Sequence, residues 1–161
     1  MEKIYILLVE DQREVLQAVA KDLSFFEDAF VIEECESAAE AKTIMETIYK
    51  NGDYVALIIA DHVMPDKSGI DFLIDVNSDD RFIDTRKVLL TGLATHQDTI
   101  RAINSAAINH YLEKPWKSGV LKETVKKMVT EFILAKGIDY QPYLMTYLDQ
   151  AVLFERLRRT T

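Results

Sequence analysis

Residues 56–69 read ALIIADHVMPDKSG. An apolar run ends abruptly at Asp61, and Pro65 and Gly69 come soon after. Extended back to Tyr54, the run YVALIIA is apolar on both faces and short, as expected of a strand covered on both sides. A strand that delivers a carboxylate to its own end and then breaks has two readings. Asp61 is either a turn residue that caps the next segment, or a chemical group held at the rim of a sheet. Which holds depends on what the other strands deliver to the same rim.

Three further runs, IYILLV (4–9), KVLLT (87–91) and HYLEK (110–114), have strand length and composition, and FVIEEC (30–35) is a weaker one. Between them lie segments with helical spacing. REVLQAVAKDLSFF (13–26) sets Val15, Leu16, Val19, Leu23 and Phe26 at steps of three and four. SAAEAKTIMETIYKNG (37–52) starts with Ser37 and Glu40 in a capping-box pattern and stops at Asn51-Gly52. SGIDFLIDV (68–76), THQDTIRAINSA (95–106) and KSGVLKETVKKMVTEFILAKG (117–137) complete the set. Strand and helix alternate five times. The expected fold is therefore α/β, a doubly wound five-stranded parallel sheet with helices on both faces. Such sheets bind ligands outside the carboxyl ends of their strands.

The chain has 161 residues, enough for one good core. Its 27 acids and 19 bases give −8. From Glu131 onward four acids (Glu131, Asp139, Asp149, Glu155) balance four bases (Lys136, Arg156, Arg158, Arg159), so the whole excess lies in residues 1–130. An acidic surface is a poor match to a phosphate backbone or an anionic membrane, so direct nucleic-acid and membrane binding are not expected. The first apolar run is too short for a signal core or a span, and a cytoplasmic protein is expected. The single cysteine, Cys35, reads as a small buried hydrophobe.

The carboxyl ends of the strands carry the chemistry. The first strand ends in Glu10-Asp11, the third in Asp61, the fourth in Thr91-Gly92 and the fifth in Lys114-Pro115. In a parallel sheet these ends share one edge. Like charges about 4 Å apart repel by ~4 kcal/mol at an effective dielectric near 20, so clustered carboxylates call for a cation. An all-oxygen acidic set suits Mg²⁺, with Lys114 as a second positive charge. Such a site lets a carboxylate attack phosphorus, and the Thr91 hydroxyl stands where it can bond phosphoryl oxygens.

The motifs LLVEDQ, ALIIADHVMPDKSG, VLLTG and HYLEKPW, in this order and spacing, resemble the receiver domain of two-component response regulators. The resemblance covers about residues 3–130. It implies a flavodoxin-like (βα)5 receiver over 1–130, with a helical extension over 131–161 that connects, dimerises or packs. It implies Asp61 as phosphoacceptor, and Glu10, Asp11, Asp61 and the Val63 carbonyl as Mg²⁺ ligands. Thr91 is then the switch hydroxyl, Tyr111 the switch aromatic and Lys114 the phosphate-pairing cation. A cis Lys114–Pro115 bond is also implied, with Gly92 leaving room for the phosphoryl group. The implied donor is a sensor histidine kinase or phosphotransfer protein, and the output is a homodimer or a covalently linked domain. The response would run through the face of fourth helix, fifth strand and fifth helix. Val63 and Leu93 occupy the two positions that tune phosphoryl lifetime in this family, and both are apolar.

Other readings are weaker. A haloacid-dehalogenase-type phosphatase needs a second Asp two positions after the nucleophile, where this chain has Val63. A flavodoxin-like cofactor binder needs a Gly/Ser/Thr-rich first loop, where this chain has EDQREV. An unphosphorylated pseudo-receiver acting as a scaffold is the remaining alternative. Asp11 is placed to cap the first helix as well as bind metal. His62 reads as an exposed side chain beside the site, Trp116 as a packing aromatic, and Gly69 as backbone freedom before a helix. In the tail, Leu144, Tyr147, Leu148, Ala151, Phe154 and Leu157 form a helical apolar stripe.

Overall fold

The computed structural model describes residues 2–92, 94–143 and 145–160. Its strands are β1 Ile4–Val9, β2 Val31–Cys35, β3 Tyr54–Ala60, β4 Arg86–Thr91 and β5 His110–Glu113. Its helices are α1 Arg13–Asp22, α2 Ala38–Lys50, α3 Gly69–Asn77, α4 His96–Asn104, α5 Ser118–Lys136 and α6 Gln150–Thr160. All strand pairs are parallel, and the order is β2-β1-β3-β4-β5. The order reverses between β1 and β3, which is where an open sheet leaves a crevice at its carboxyl edge. The register aligns the strand ends there: Val9 lies opposite Cys35 and Ala60, and Thr91 opposite Glu113.

Alternation along the strands sorts the core into two layers. Ile4, Ile6 and Leu8 of β1 face a layer with Leu16 and Val19 of α1 and Leu121, Val125, Met128 and Phe132 of α5. Leu7 and Val9 face the other layer, with Met45 of α2, Ile70 and Leu73 of α3 and Ala102 of α4. Cys35 is fully buried there, and burial pushes its thiol up to about 12, so it behaves as an inert hydrophobe.

The helix starts differ from expectation at one place. Ser37 and Ser68 cap α2 and α3 by accepting the N–H of Glu40 and Asp71. The N-cap of α1, however, is Gln12, with no side-chain cap bond, so Asp11 does not cap this helix. Its exposed carboxylate is left to the carboxyl edge instead.

The tail folds back on the α1–α5 layer. Leu148 and Leu153 are buried, and Tyr143 stacks on Phe30 with ring centroids 5.3 Å apart. Tyr147 packs on Phe25, Phe26 and Phe30. The buried Thr130 hydroxyl accepts the Asp149 N–H at 2.8 Å, and Asp149 in turn caps α6 through the Ala151 and Val152 N–H groups. The expected stripe assumed one continuous helix. Because α6 begins only at Gln150, Leu153 turns inward while Phe154 stays 68% exposed; Leu144 lies outside the described residues. α5 runs unbroken through position 130 and is capped after Lys136 by Gly137, whose φ of 75° suits glycine.

Lys87 of β4 is a charged exception in the core. It is 4% exposed, and among the described residues its Nζ reaches only the Thr85 carbonyl, at 3.4 Å. Burial, with the Arg86 charge adding, lowers its pKa. Between the folded and unfolded values the unfolded chain therefore binds more protons than the folded one, so stability rises with pH there and the penalty is full below the folded value. Lys87→Met is expected to stabilise the protein by about 1–2 kcal/mol at neutral pH. The gain should shrink as pH approaches the ordinary lysine range. Denaturant unfolding across that range checks this, and a pH-independent gain would contradict it.

Candidate functional site at the carboxyl edge of the sheet

The ladder itself carries the acids to the edge. The Glu10 N–H bonds the Cys35 carbonyl and the Asp61 N–H bonds the Val9 carbonyl, each at 3.0 Å, continuing the sheet one residue past β1 and β3. Carboxylate oxygens of Glu10, Asp11 and Asp61 lie within 4.8 Å of one another. Glu10 is 5% and Asp61 7% exposed, whereas Asp11 is open to solvent. Lys114 enters from the end of β5 and sets its Nζ 2.5 Å from Glu10 Oε1 and 3.5 Å from Asp61 Oδ1. Two of the three carboxylates thus pair with one ammonium. Burial, reinforced by the Asp61 charge, raises the Glu10 carboxyl above its ordinary range, against the opposing hydrogen bonds from Lys114 and the Gln12 N–H. The donor set is all oxygen, rich in negative charge and partly solvated, which fits a hard divalent cation such as Mg²⁺.

Thr91 is fully buried at the end of β4. Tyr111 is half-buried on β5; burial raises its hydroxyl's pKa, the Glu113 charge adds to this, and a hydrogen bond with Thr99 of α4 opposes it. The Lys114–Pro115 peptide is cis. Val63 is 48% exposed beside Asp61, and Leu93 lies outside the described residues. Trp116 packs on the α1–α5 layer and donates its indole N–H to Asp22 at 2.7 Å. A Cβ on Gly92 would meet the Lys114 carbonyl at 3.5 Å, an ordinary contact, so the backbone there does not itself require glycine.

Two residues differ from their sequence reading. Gly69 has no positive φ; it is needed because a Cβ there would lie 1.8 Å from the Asp61 carbonyl oxygen. His62 is not exposed: its side chain is 13% accessible, and its Nε2 lies 3.2 Å from Asp98 Oδ2. Sequence reasoning also missed Asp66, whose carboxylate accepts the Ala38 and Ala39 N–H groups and ties the loop after β3 to the start of α2. Of these, only Asp98 left a legible signal, since TxxD over 95–98 is a capping-box pattern and Thr95 and Asp98 form that box.

The sequence profile of the response regulator receiver domain matches residues 6–126. The chain belongs to this family. It is a receiver domain of two-component signalling, a signalling domain rather than a conventional enzyme. Chemotaxis protein CheY1 of Helicobacter pylori is 30% identical over 123 residues, covering 75% of this receiver and 93% of that protein. The hydrogenase transcriptional regulatory protein HoxA of Bradyrhizobium diazoefficiens is 30% identical over 131 residues, 81% of this receiver but only 25% of that protein. The receiver thus spans about a quarter of the length of the HoxA proteins it matches. Among solved structures, the signal receiver domain of an HD domain-containing protein from Pseudomonas fluorescens aligns with a TM-score of 0.75 at 23% identity, covering 86% of this receiver and 95% of that chain. That likeness shows the fold. Among the described residues, no helix is long and apolar enough to cross a membrane.

Proposed function

We propose that this receiver is a phosphorylation-dependent switch whose acceptor is Asp61. The observation that carries this reading is a nearly buried Asp61 carboxylate at the sheet edge, faced by the Lys114 ammonium at 3.5 Å with Glu10 and Asp11 beside it. An Asp61 oxygen attacks the phosphorus of a phosphohistidine on a sensor histidine kinase or phosphotransfer protein. The P–N bond breaks, the imidazole leaves with a proton from solvent, and an acyl phosphate forms on Asp61. Glu10, Asp11, Asp61 and the Val63 carbonyl are the residues that would hold Mg²⁺, which when bound supplies positive charge against the phosphoryl oxygens.

Lys114 then pairs with the new oxygens, which add about −1.5 to −2 of charge. Thr91 bonds them through its hydroxyl, and Tyr111 turns toward the space this opens. The two-state element biased in this way is the α4–β5–α5 face. Residues 1–130 act as the receiver and 131–161 as its helical extension, in the cytoplasm. Relatives named as a transcriptional regulatory protein and an HD domain-containing protein favour an output domain joined to the chain.

Incubation with a small acyl-phosphate donor tests this. Wild type is expected to take up phosphate with Mg²⁺ and not with a chelator, and Asp61→Asn to take up none. No uptake by wild type would return the chain to the pseudo-receiver reading, and equal uptake by the variant would put the phosphate on a residue other than Asp61. Loss of the phosphate should be slow, because the Val63 side chain cannot orient water. Val63→Asn is expected to speed that loss several-fold; rapid loss unaffected by the substitution would count against it.

A further inference from the structure

The contact between His62 and Asp98 joins two parts of the molecule that the acceptor chemistry treats separately. His62 follows Asp61 directly, in the loop after β3, and Asp98 stands in the first turn of α4. The Asp98 Oδ2 that lies 3.2 Å from His62 Nε2 also accepts the Thr95 N–H at 3.1 Å. The imidazole therefore lies against the helix cap itself. Asp98 is held below the usual carboxylate range, first by the Thr95 N–H, so it remains a charged acceptor. Among the described residues, His62 Nδ1 is buried without a hydrogen-bond partner, so the polar contact this ring makes there is the one between Nε2 and Asp98.

α4 is shallowly anchored. Of its residues only Ala102 is buried, while Ile100 is 45% and Ile103 57% exposed. Its position depends on polar ties: Arg101 to Asp71 of α3, Thr99 to Tyr111 of β5, and Asp98 to His62. An element with so little apolar burial opens at low free energy, so each tie shifts its equilibrium measurably. We propose that His62 is a positioning residue that ties the acceptor loop to the cap of α4 and holds this helix in its unphosphorylated setting. The coupling to phosphorylation rests on Asp61 being the acceptor; the tie itself does not.

Two substitutions separate the tie from packing. His62→Phe keeps a ring but has no donor, and His62→Gln keeps a donor for Asp98. In the metal-free, unphosphorylated protein, His62→Phe is expected to speed hydrogen exchange of the amides in 96–104 by about two- to fivefold, the range of a partly exposed ion contact. His62→Gln should restore the wild-type rate, and β3 should be unaffected in both. Equal exchange in His62→Phe and wild type, or equal acceleration in both variants, would overturn the tie. With a small phosphodonor and Mg²⁺, His62→Phe should also be phosphorylated faster by a similar factor, because a helix released from one setting resists the other less. A loosened α4 with an unchanged phosphorylation rate would overturn the coupling. Absence of phosphorylation in wild type would overturn the acceptor reading and the coupling with it, and the exchange rates would then decide the tie by themselves.

Discussion

Gly69→Ala is expected to lower stability by about 3 kcal/mol, a fall of roughly 6–12 °C in the unfolding midpoint. The added Cβ would sit 1.8 Å from the Asp61 carbonyl oxygen, 2.7 Å from its carbon and 3.1 Å from His62 Cα. All three are backbone atoms, so no rotamer change relieves the clash. Either the first turn of α3 or the Asp61–His62 peptide must move, and the 2.8 Å bond from the Gly69 N–H to the His62 carbonyl is lost. The displaced peptide is the one that carries Asp61, so phosphoryl uptake should slow in the folded fraction too. Gly92→Ala is the control: its Cβ meets Lys114 atoms at 3.5 and 3.6 Å and should be nearly neutral for stability. Calorimetry on both variants checks this, and a Gly69→Ala midpoint within about a degree of wild type would contradict it.

Lys114→Met is the second large effect. The Lys114 ammonium is the cation that pairs with both Glu10 and Asp61, and those carboxylates are 6% and 8% exposed. Its removal leaves clustered acids uncompensated, at a cost of about 2–3 kcal/mol, toward the low end for a broken buried pair because Lys114 itself is 20% exposed. The Glu10 carboxyl, already raised by burial, would rise further. A raised folded value means that the folded state binds more protons than the unfolded one, so stability falls as pH rises through the carboxyl range. The loss should therefore be largest at neutral pH and shrink on mild acidification. Mg²⁺ should restore more stability to the variant than it adds to wild type. Denaturant unfolding at two pH values, with and without Mg²⁺, checks both. A pH-independent loss with no extra benefit from Mg²⁺ would contradict the electrostatic account.

The strands and helices were legible because the apolar runs are short and bounded, and because the helical steps bury one face each. The gathering of residues at the edge was legible for the same reason: parallel strands bring Glu10, Asp61, Thr91 and Lys114 to one rim wherever their exact ends fall. What local pattern cannot carry is contact between a loop and something distant in sequence. Gly69 looked like a flexibility residue because its clash partner, Asp61, becomes a neighbour only when the loop closes. His62 looked exposed because Asp98 reaches it only through the placement of α4. The tail misled differently: its stripe was periodic, but the helix begins late, at Asp149's cap, and the inward face shifted from Phe154 to Leu153.

The central claim is that phosphate resides on the Asp61 carboxylate. Incubating the protein with an acyl-phosphate donor and Mg²⁺, reducing the acyl phosphate with borohydride and sequencing the peptides by mass tests it most directly. The account predicts that residue 61 alone is converted to homoserine, and that Asp61→Asn gives no converted peptide. Conversion at Glu10, Asp11 or another acid in wild type, or none anywhere, would contradict it.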